Sequence, residues 1–272
     1  MDARVVAAWE AEYRAGRYAS DPPDPMVAAI LREAGARGLL GGPALEIGCG
    51  NGRNYRALVA GGLDVVGLDI SPTALDQLAA RSPERRGRLV LGDLSALPAS
   101  VRYPVVIGLQ VFQHGDRRSS HAHVRRAQRR LGAGGLFALR VNATGTDLAF
   151  AHTVSERGPD GGFTACYLAG PKAGLKIRFF GRAELARLFA RGFREVVPPH
   201  SVATVRAPPE RGRWLQWEAI WVRSGPRASA ERPEARARQA SRARALRAHD
   251  RSGRSGPRRR RAPRRSSGRR AR

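Results

Sequence analysis

The sequence predicts an α/β domain on a doubly wound, mostly parallel seven-stranded sheet with an antiparallel edge pair, followed by a disordered C-terminal tail. Three observations carry this expectation. Apolar runs of strand length alternate with helical patterns from Ala44 to Asn142, the rhythm of βαβ units. The first of these runs, Ala-Leu-Glu-Ile, opens into three glycines at alternate positions, Gly48, Gly50 and Gly52. From Pro226 onward the chain is almost only Arg, Ala, Ser, Gly and Pro, a composition that cannot bury a core.

Each element follows from local pattern. Val5–Tyr13 and Pro25–Ala36 have helical apolar spacing, and Asp21-Pro22-Pro23-Asp24-Pro25 interrupts the chain between them. Gly38–Pro43 is a turn into the first strand, Ala44–Ile47. Asn51–Ala60 reads as a helix stopped by Gly61-Gly62. Leu63–Ile70 is a buried strand that ends in Asp69, and Ser71-Pro72 caps and opens the next helix. Arg88–Leu91 and Val101–Val111 are the third and fourth strands. Arg117–Arg130 is a helix with a basic outer face. Leu131-Gly-Ala-Gly-Gly135 turns into a fifth strand, Leu136–Asn142. Thr144–Gly174 is polar and Gly-rich and reads as a surface loop. Leu175–Phe180 reads as a strand and Arg182–Arg191 as a helix closed by Gly192. Phe193–Val197 and Trp214–Val222 complete the sheet as its edge pair. The expected organisation is one domain over 1–225, with a helical lid at 1–40 and a substrate-side insertion at 144–176, and a tail at 226–272.

Charge is unevenly placed. The 272 residues carry a formal net charge of +26, and the tail alone holds 18 arginines against Glu231, Glu234 and Asp250. Lys172 and Lys176 are the only lysines among 49 basic residues. Cys49 and Cys166, the only cysteines, indicate neither a disulfide framework nor a four-ligand metal site. The charged first twenty residues hold no secretory apolar region, and no window approaches a membrane span, so the expected location is the cytoplasm, with no membrane partner.

The glycine loop is the main functional signal. A strand that runs through glycines into a helix lets backbone approach a nucleotide-like cofactor closely. A dinucleotide fingerprint requires Gly-x-Gly-x-x-Gly, but the sixth residue from Gly48 is Arg53 and from Gly50 is Tyr55. A nicotinamide oxidoreductase is therefore disfavoured.

Glu-Ile-Gly-Cys-Gly-Asn-Gly, Val-Gly-Leu-Asp-Ile-Ser, Gly-Asp-Leu and the Leu-Gly-Ala-Gly-Gly turn together resemble the core motifs of class I S-adenosylmethionine (SAM) methyltransferases over Ala44–Arg140. Cys-Gly-Asn-Gly-Arg-Asn also resembles the tellurite-resistance branch, which, like its thiopurine S-methyltransferase relatives, methylates soft chalcogen nucleophiles. Pro104 and Ala133 depart from the family pattern, which favours Asp and Pro there. The resemblance implies a Rossmann-like methyltransferase fold, SAM as cofactor and transfer of a methyl group to a small-molecule acceptor.

It also implies a site. The loop Gly48-Cys49-Gly50-Asn51-Gly52 would wrap the cofactor, and Glu46 stands where the family carries an acidic residue facing the methionine end. Asp69, about 17 residues after Gly52, is placed for a ribose diol, since one carboxylate accepts two hydrogen bonds. Its other reading is a helix cap. Asp93 would accept from the adenine amino group between Ile70 and Leu94; as a loop Asp it also reads as a turn former. Gln110 follows strand four at the switch point of the sheet, where ligands of such folds bind. His114 reads either as a base or as a structural histidine. Trp9, Tyr13, Arg17 and Tyr18 are candidates to close the site. No catalytic acid–base pair is evident, and displacement at a sulfonium methyl requires none for a thiolate or selenide nucleophile.

Two other functions remain open on sequence. The Arg tail would give phosphate affinity for non-specific nucleic-acid contact, consistent with an RNA or protein methyltransferase or with a non-catalytic nucleic-acid-binding scaffold. Against these, Gly108-Leu-Gln-Val111 lacks the Asn/Asp-Pro-Pro-aromatic motif of base-amine methylases, and the tail has no interleaved aromatics for base stacking.

Overall fold

The structure, a computed structural model, describes residues 3–206 and 211–225; the expected disordered tail lies outside the described residues. The elements are α1 (Ala3–Arg14), α2 (Met26–Gly35), β1 (Pro43–Ile47), α3 (Tyr55–Ala60), β2 (Asp64–Asp69), α4 (Pro72–Arg81), β3 (Leu89–Leu91), β4 (Tyr103–Leu109), α5 (Arg117–Gln128), β5 (Leu131–Asn142), β6 (His152–Arg157), β7 (Phe163–Tyr167), β8 (Lys176–Phe179), α6 (Arg182–Leu188), β9 (Phe193–Val205) and β10 (Arg213–Arg223). Seven strands form one sheet in the order β3-β2-β1-β4-β5-β10-β9. β1 to β5 pair in parallel, whereas β10 is antiparallel to both β5 and β9. The order reverses between β1 and β4, so the loops after these strands diverge and leave a crevice at their carboxyl ends.

Both faces of the sheet are covered, and strand alternation sorts the side chains. Leu45, Ile47, Val106, Phe137, Leu139 and Val141 face α5 and α6 together with Val124, Leu185 and Phe189. Ala44, Val105, Ile107, Leu136 and Ala138 face α2, α3 and α4 together with Ile30, Tyr55 and Leu78. Side chains of a strand point alternately to the two faces, so a strand buried on both reads as one apolar run. On the far side Trp221 of β10 stacks on Phe189, ring centroids 3.7 Å apart.

Three expectations are corrected. The helix after the glycine loop starts at Tyr55, not Asn51, because Gly50 (φ 54°) and Gly52 (φ 95°) hold left-handed backbone that a right-handed helix cannot contain. The 144–174 segment is not a loop: β6 and β7 pair antiparallel with each other and with β8 in a separate three-stranded sheet. That sheet buries Ala165, Ile177 and Phe179 against Val5 and Ala8 of α1, a partner far away in sequence. Finally, only the first part of the expected 1–40 lid lies outside the core. α2 buries Met26, Val27, Ile30 and Ala34 in a main core cluster.

Among the described residues, no helix is long and apolar enough to cross a membrane.

Candidate active site

The carboxyl end of β1 turns back on β2 through paired backbone bonds: Gly48 N–H and Cys49 N–H both donate to the Leu68 carbonyl (2.7 and 3.2 Å). Asp69, next along β2, then accepts from Gly50 N–H (2.8 Å) and Ser71 N–H (2.9 Å). Its carboxylate thus staples the glycine loop to the start of α4. Burial pushes the Asp69 carboxyl up, and the backbone donors only partly offset this. The helix cap itself is Ser71, whose hydroxyl accepts from Ala74 N–H, so Asp69 is released from that role.

Glu46 is 2% exposed, and its Oε2 has no hydrogen-bond partner. Burial, with the Asp69 charge added, raises its carboxyl well above the ordinary range. A buried carboxylate oxygen without a partner is costly unless a donor arrives. Cys49, also buried, is a thiol held protonated by burial and by these two carboxylates. Asn51 is spent on structure: its amide donates to the Arg17 carbonyl (3.0 Å) and to Gln77 Oε1 (3.2 Å).

At the ends of β2 and β3 an open cleft of about 450 Å³ is lined by Val6, Ile70, Pro72, Leu91, Gly92, Asp93, Ser95 and Ala96. Asp93 accepts from Ser95 N–H (2.7 Å) and Ser95 Oγ (2.5 Å) and lies 3.4 Å from Arg126. Hydrogen bonding from the Ser95 hydroxyl, chiefly, holds Asp93 down at about 2. Here the structure brings Ile70 and Asp93 together as expected but not Leu94. Leu94 is 2% exposed and packs into the core beneath α5, because it starts the short 3-10 turn that Asp93 caps. Leu91, 55% exposed, supplies the apolar wall instead.

The end of β4 carries the third part. Gln110 has φ 61°, an unusual value for a non-glycine residue, and its N–H donates to the Arg140 carbonyl (2.8 Å). Gln113 Nε2 donates to Gln110 Oε1 (2.9 Å) and to the Gln110 carbonyl (2.7 Å). Gln110 Nε2, Gln113 Oε1 and both ring nitrogens of His114 are buried without a partner.

Helix α1 roofs this crevice. A Cβ on Gly50 would stand 2.5 Å from Tyr13 Oη. Trp9 lies edge-on to His114, ring centroids 5.3 Å apart, and Tyr13 and Tyr18 meet at 5.9 Å. Lys172 Nζ lies 3.7 Å from the centre of the Trp9 ring and 3.6 Å from Glu12. Glu10 accepts from Ser71 Oγ, Thr73 N–H (3.2 Å) and Thr73 Oγ1 (2.7 Å) at the start of α4. Sequence named the aromatics and Arg17 as candidates to close the site; it did not point to Glu10, Glu12 or Lys172. The only signal for Lys172 was the scarcity of lysine.

These residues fit SAM. Glu46 Oε2 lacks the donor an ammonium would bring, and the cleft has an ionised acceptor beside apolar walls.

Residues 44–135 match a family of methyltransferase domains. None of the curated proteins matches the chain in sequence. Among solved structures, the chain is similar to a 1,6-didemethyltoxoflavin-N1-methyltransferase of Burkholderia thailandensis with bound 1,6-didemethyltoxoflavin and S-adenosylhomocysteine (SAH). Identity is 20%, coverage is 82% of this chain and 88% of that one, and the TM-score is 0.57. It is similar to the SAM-bound magnesium protoporphyrin IX methyltransferase of Synechocystis PCC 6803, at 16% identity, 82% and 98% coverage and a TM-score of 0.56. It is also similar to a SAM-bound amino pentose methyltransferase of Micromonospora echinaspora, at 18% identity, 79% and 97% coverage and a TM-score of 0.51. A methyltransferase domain thus occupies residues 44–135, about a third of the chain, on a sheet whose fold is shared with solved SAM-dependent methyltransferases.

Proposed function

We propose that this enzyme methylates a small-molecule acceptor. The observation that carries the reading is the roof over the end of β4. α1 sets Trp9 against His114 and Tyr13 against Gly50, so aromatic side chains cover the glycine loop and the β4 turn, a cover suited to a small acceptor. The similar structure from Burkholderia thailandensis holds 1,6-didemethyltoxoflavin, a compound of this size class.

The residues divide the work by chemistry. The glycine loop lets backbone lie against the methionine part, and Glu46 accepts from its ammonium. Asp69 accepts from the ribose diol, and Asp93 from the adenine amino group between Ile70 and Leu91. Gln110 faces the crevice from the switch point. When bound, SAM supplies a methyl group already activated by its sulfonium. The protein aligns the acceptor behind that carbon and excludes water, and α1 does both by closing the aromatic cluster over the end of β4.

Calorimetric titration with SAM, SAH and NADH tests the cofactor roles. SAM and SAH are expected to bind, and Asp69→Ala to weaken both by about 1–3 kcal/mol. Unchanged affinity removes Asp69 from the diol. A screen of labelled methyl transfer over hydroxyl, amine, thiol and selenite acceptors and bulk RNA tests the acceptor. Transfer to RNA by protein lacking 226–272 replaces the small-molecule reading.

A further inference from the structure

We infer that the outer face of α5 is a docking surface for the phosphate backbone of a nucleic acid. This goes beyond the proposed methyl transfer and does not depend on it, because none of the arginines concerned lines the cleft at the ends of β2 and β3. The first observation is geometric. α5 buries Ser120, Val124 and Ala127, and it leaves Arg118, Ala122, Arg125 and the C-cap Arg129 exposed. With 3.6 residues per turn, Arg118, Arg125 and Arg129 fall within about 40° of one another. They form one line along the helix, opposite its buried side, and at about 1.5 Å per residue that line is about 16 Å long. α6 runs beside α5 in the same direction. His121 near the start of α5 meets Glu184 near the start of α6, and Gln128 Nε2 at the end of α5 donates to the Leu188 carbonyl at the end of α6 (3.0 Å). Arg182, exposed at the start of α6, flanks the line.

The second observation is how charge is matched. On other elements arginines stand against acids: Arg14 with Glu10, Arg37 with Glu33, Arg53 with Asp21, and Arg85 and Arg88 with Asp64. Around α5 and α6 the acids are engaged with other groups. Glu184 is buried against Arg178 and His121, Asp160 takes Arg117 and Arg187, and Asp93 takes Arg126. Arg118 lies near Asp116, which already caps α5 by accepting from Ser119 N–H (2.9 Å). Among the described residues Arg125, Arg129 and Arg182 have no ion-pair partner. Arg125 and Arg129 stand one helical turn apart, a spacing at which like charges repel. A row of anions laid on the face relieves that repulsion.

The third observation selects the occupant. None of the exposed large hydrophobic residues lies on α5 or α6. The face therefore has nothing to insert into a lipid layer and no apolar centre to bury against a protein. The guanidinium fork takes two phosphate oxygens at once, and the charges of a nucleic-acid strand recur every few ångström along a line, as these arginines do. With no exposed aromatic on either helix for base stacking, the contact is to the backbone and carries no sequence preference.

The test is fluorescence anisotropy of the full-length protein with a labelled duplex and a labelled single strand of about 20 nucleotides, repeated from about 0.05 to 0.3 M NaCl. Residues 226–272 are the same in every protein compared, so differences between variants report the α5 face. Arg118→Gln/Arg125→Gln/Arg129→Gln should weaken binding at least tenfold at about 0.1 M NaCl. It should also flatten the slope of log K against log salt by about 3 for the duplex and about 2 for the single strand, the loss of three phosphate contacts. Arg125→Gln alone should flatten it by about 1. Arg32→Gln/Arg37→Gln/Arg56→Gln removes the same charge from the α2 and α3 side and should change the slope by less than about 1. No binding by the wild type, or an unchanged slope in the α5 variants, overturns the inference. So does an equal change in both triple variants, which would make net charge alone responsible. Vesicles of phosphatidylglycerol and phosphatidylcholine form the last arm. An α5 variant that loses vesicle binding but keeps nucleic-acid binding would assign the face to a membrane instead and overturn the inference.

Discussion

Thr73, near the start of α4, donates a 2.7 Å hydrogen bond from its hydroxyl to the carboxylate of Glu10 on α1. The Ser71 hydroxyl and Thr73 N–H add to it, so one carboxylate takes three donors at a helix start, where the helix dipole also favours negative charge. α1 is thereby tied down beside Asp69 and over the glycine loop. Burial would push Glu10 up, but the hydrogen bonds from Ser71 and Thr73, with Arg14, hold it below the ordinary carboxylate range. A depressed folded-state pKa means stability that is present above the unfolded value and lost as pH falls through the folded one. Glu10→Ala should lower stability by about 1–3 kcal/mol in urea titration at pH 7 and by less at pH 3. It should also speed hydrogen exchange in α1. An equal loss at both pH values removes the ionic part of this account.

Gly50 tests how closely α1 sits on the loop. Its left-handed φ costs a residue with a Cβ about 1–2 kcal/mol, and the new atom would also press on Tyr13 Oη. Gly50→Ala should weaken SAM binding at least tenfold in calorimetry. Gly50→Ala with Tyr13→Phe should regain part of the loss, because the phenol oxygen is the atom in the way. No recovery would mean that backbone strain alone is responsible.

Glu46 predicts a proton count. Its carboxyl, raised by burial and then by Asp69, holds a proton in the free protein at pH values where an ordinary Glu is ionised. A ligand ammonium at Oε2 favours the carboxylate and expels that proton. SAM binding should therefore release protons at pH 5–6, read as a dependence of binding enthalpy on buffer ionisation enthalpy. Affinity should rise with pH until Glu46 is ionised in the free protein. Glu46→Gln should abolish the release; a variant that still releases the same number of protons places the linked group elsewhere.

The second sheet is joined to the main domain by a buried ion pair. Arg178 on β8 and Glu184 on α6 are both fully buried and meet through two bonds, Nε to Oε1 at 3.1 Å and Nη2 to Oε2 at 2.9 Å. Burial opposes the charge on Glu184, while His121 and Arg178 more than offset it and hold the carboxyl low. Glu184→Gln leaves Arg178 buried with a neutral partner and should cost about 3–5 kcal/mol. Glu184→Asp, too short for both bonds, should cost less. Thermal unfolding of the two variants measures the order.

The sequence by itself determined the parts that depend on neighbours in the chain. Strand period, turn glycines and the carboxylates Asp69 and Asp93 at strand ends are local patterns. They located the loop, the cleft residue Ile70 and the sheet, including its antiparallel edge. Leu94 shows the limit: an apolar residue beside Asp93 has two directions available, and the 3-10 turn sends it into the core. Likewise, 144–174 looked like a loop because β6 and β7 carry mostly polar residues, and their buried face meets α1, more than a hundred residues earlier. What only the tertiary structure decided is the meeting of Glu10 with Ser71 and Thr73, of Tyr13 with Gly50, and of Trp9 with His114 and Lys172. No periodicity links residues so far apart. The site proposed for the methyl donor lies at consecutive strand ends and could be read along the chain; the side proposed for the acceptor draws on α1, the β4 turn and the second sheet, which meet only in the folded protein.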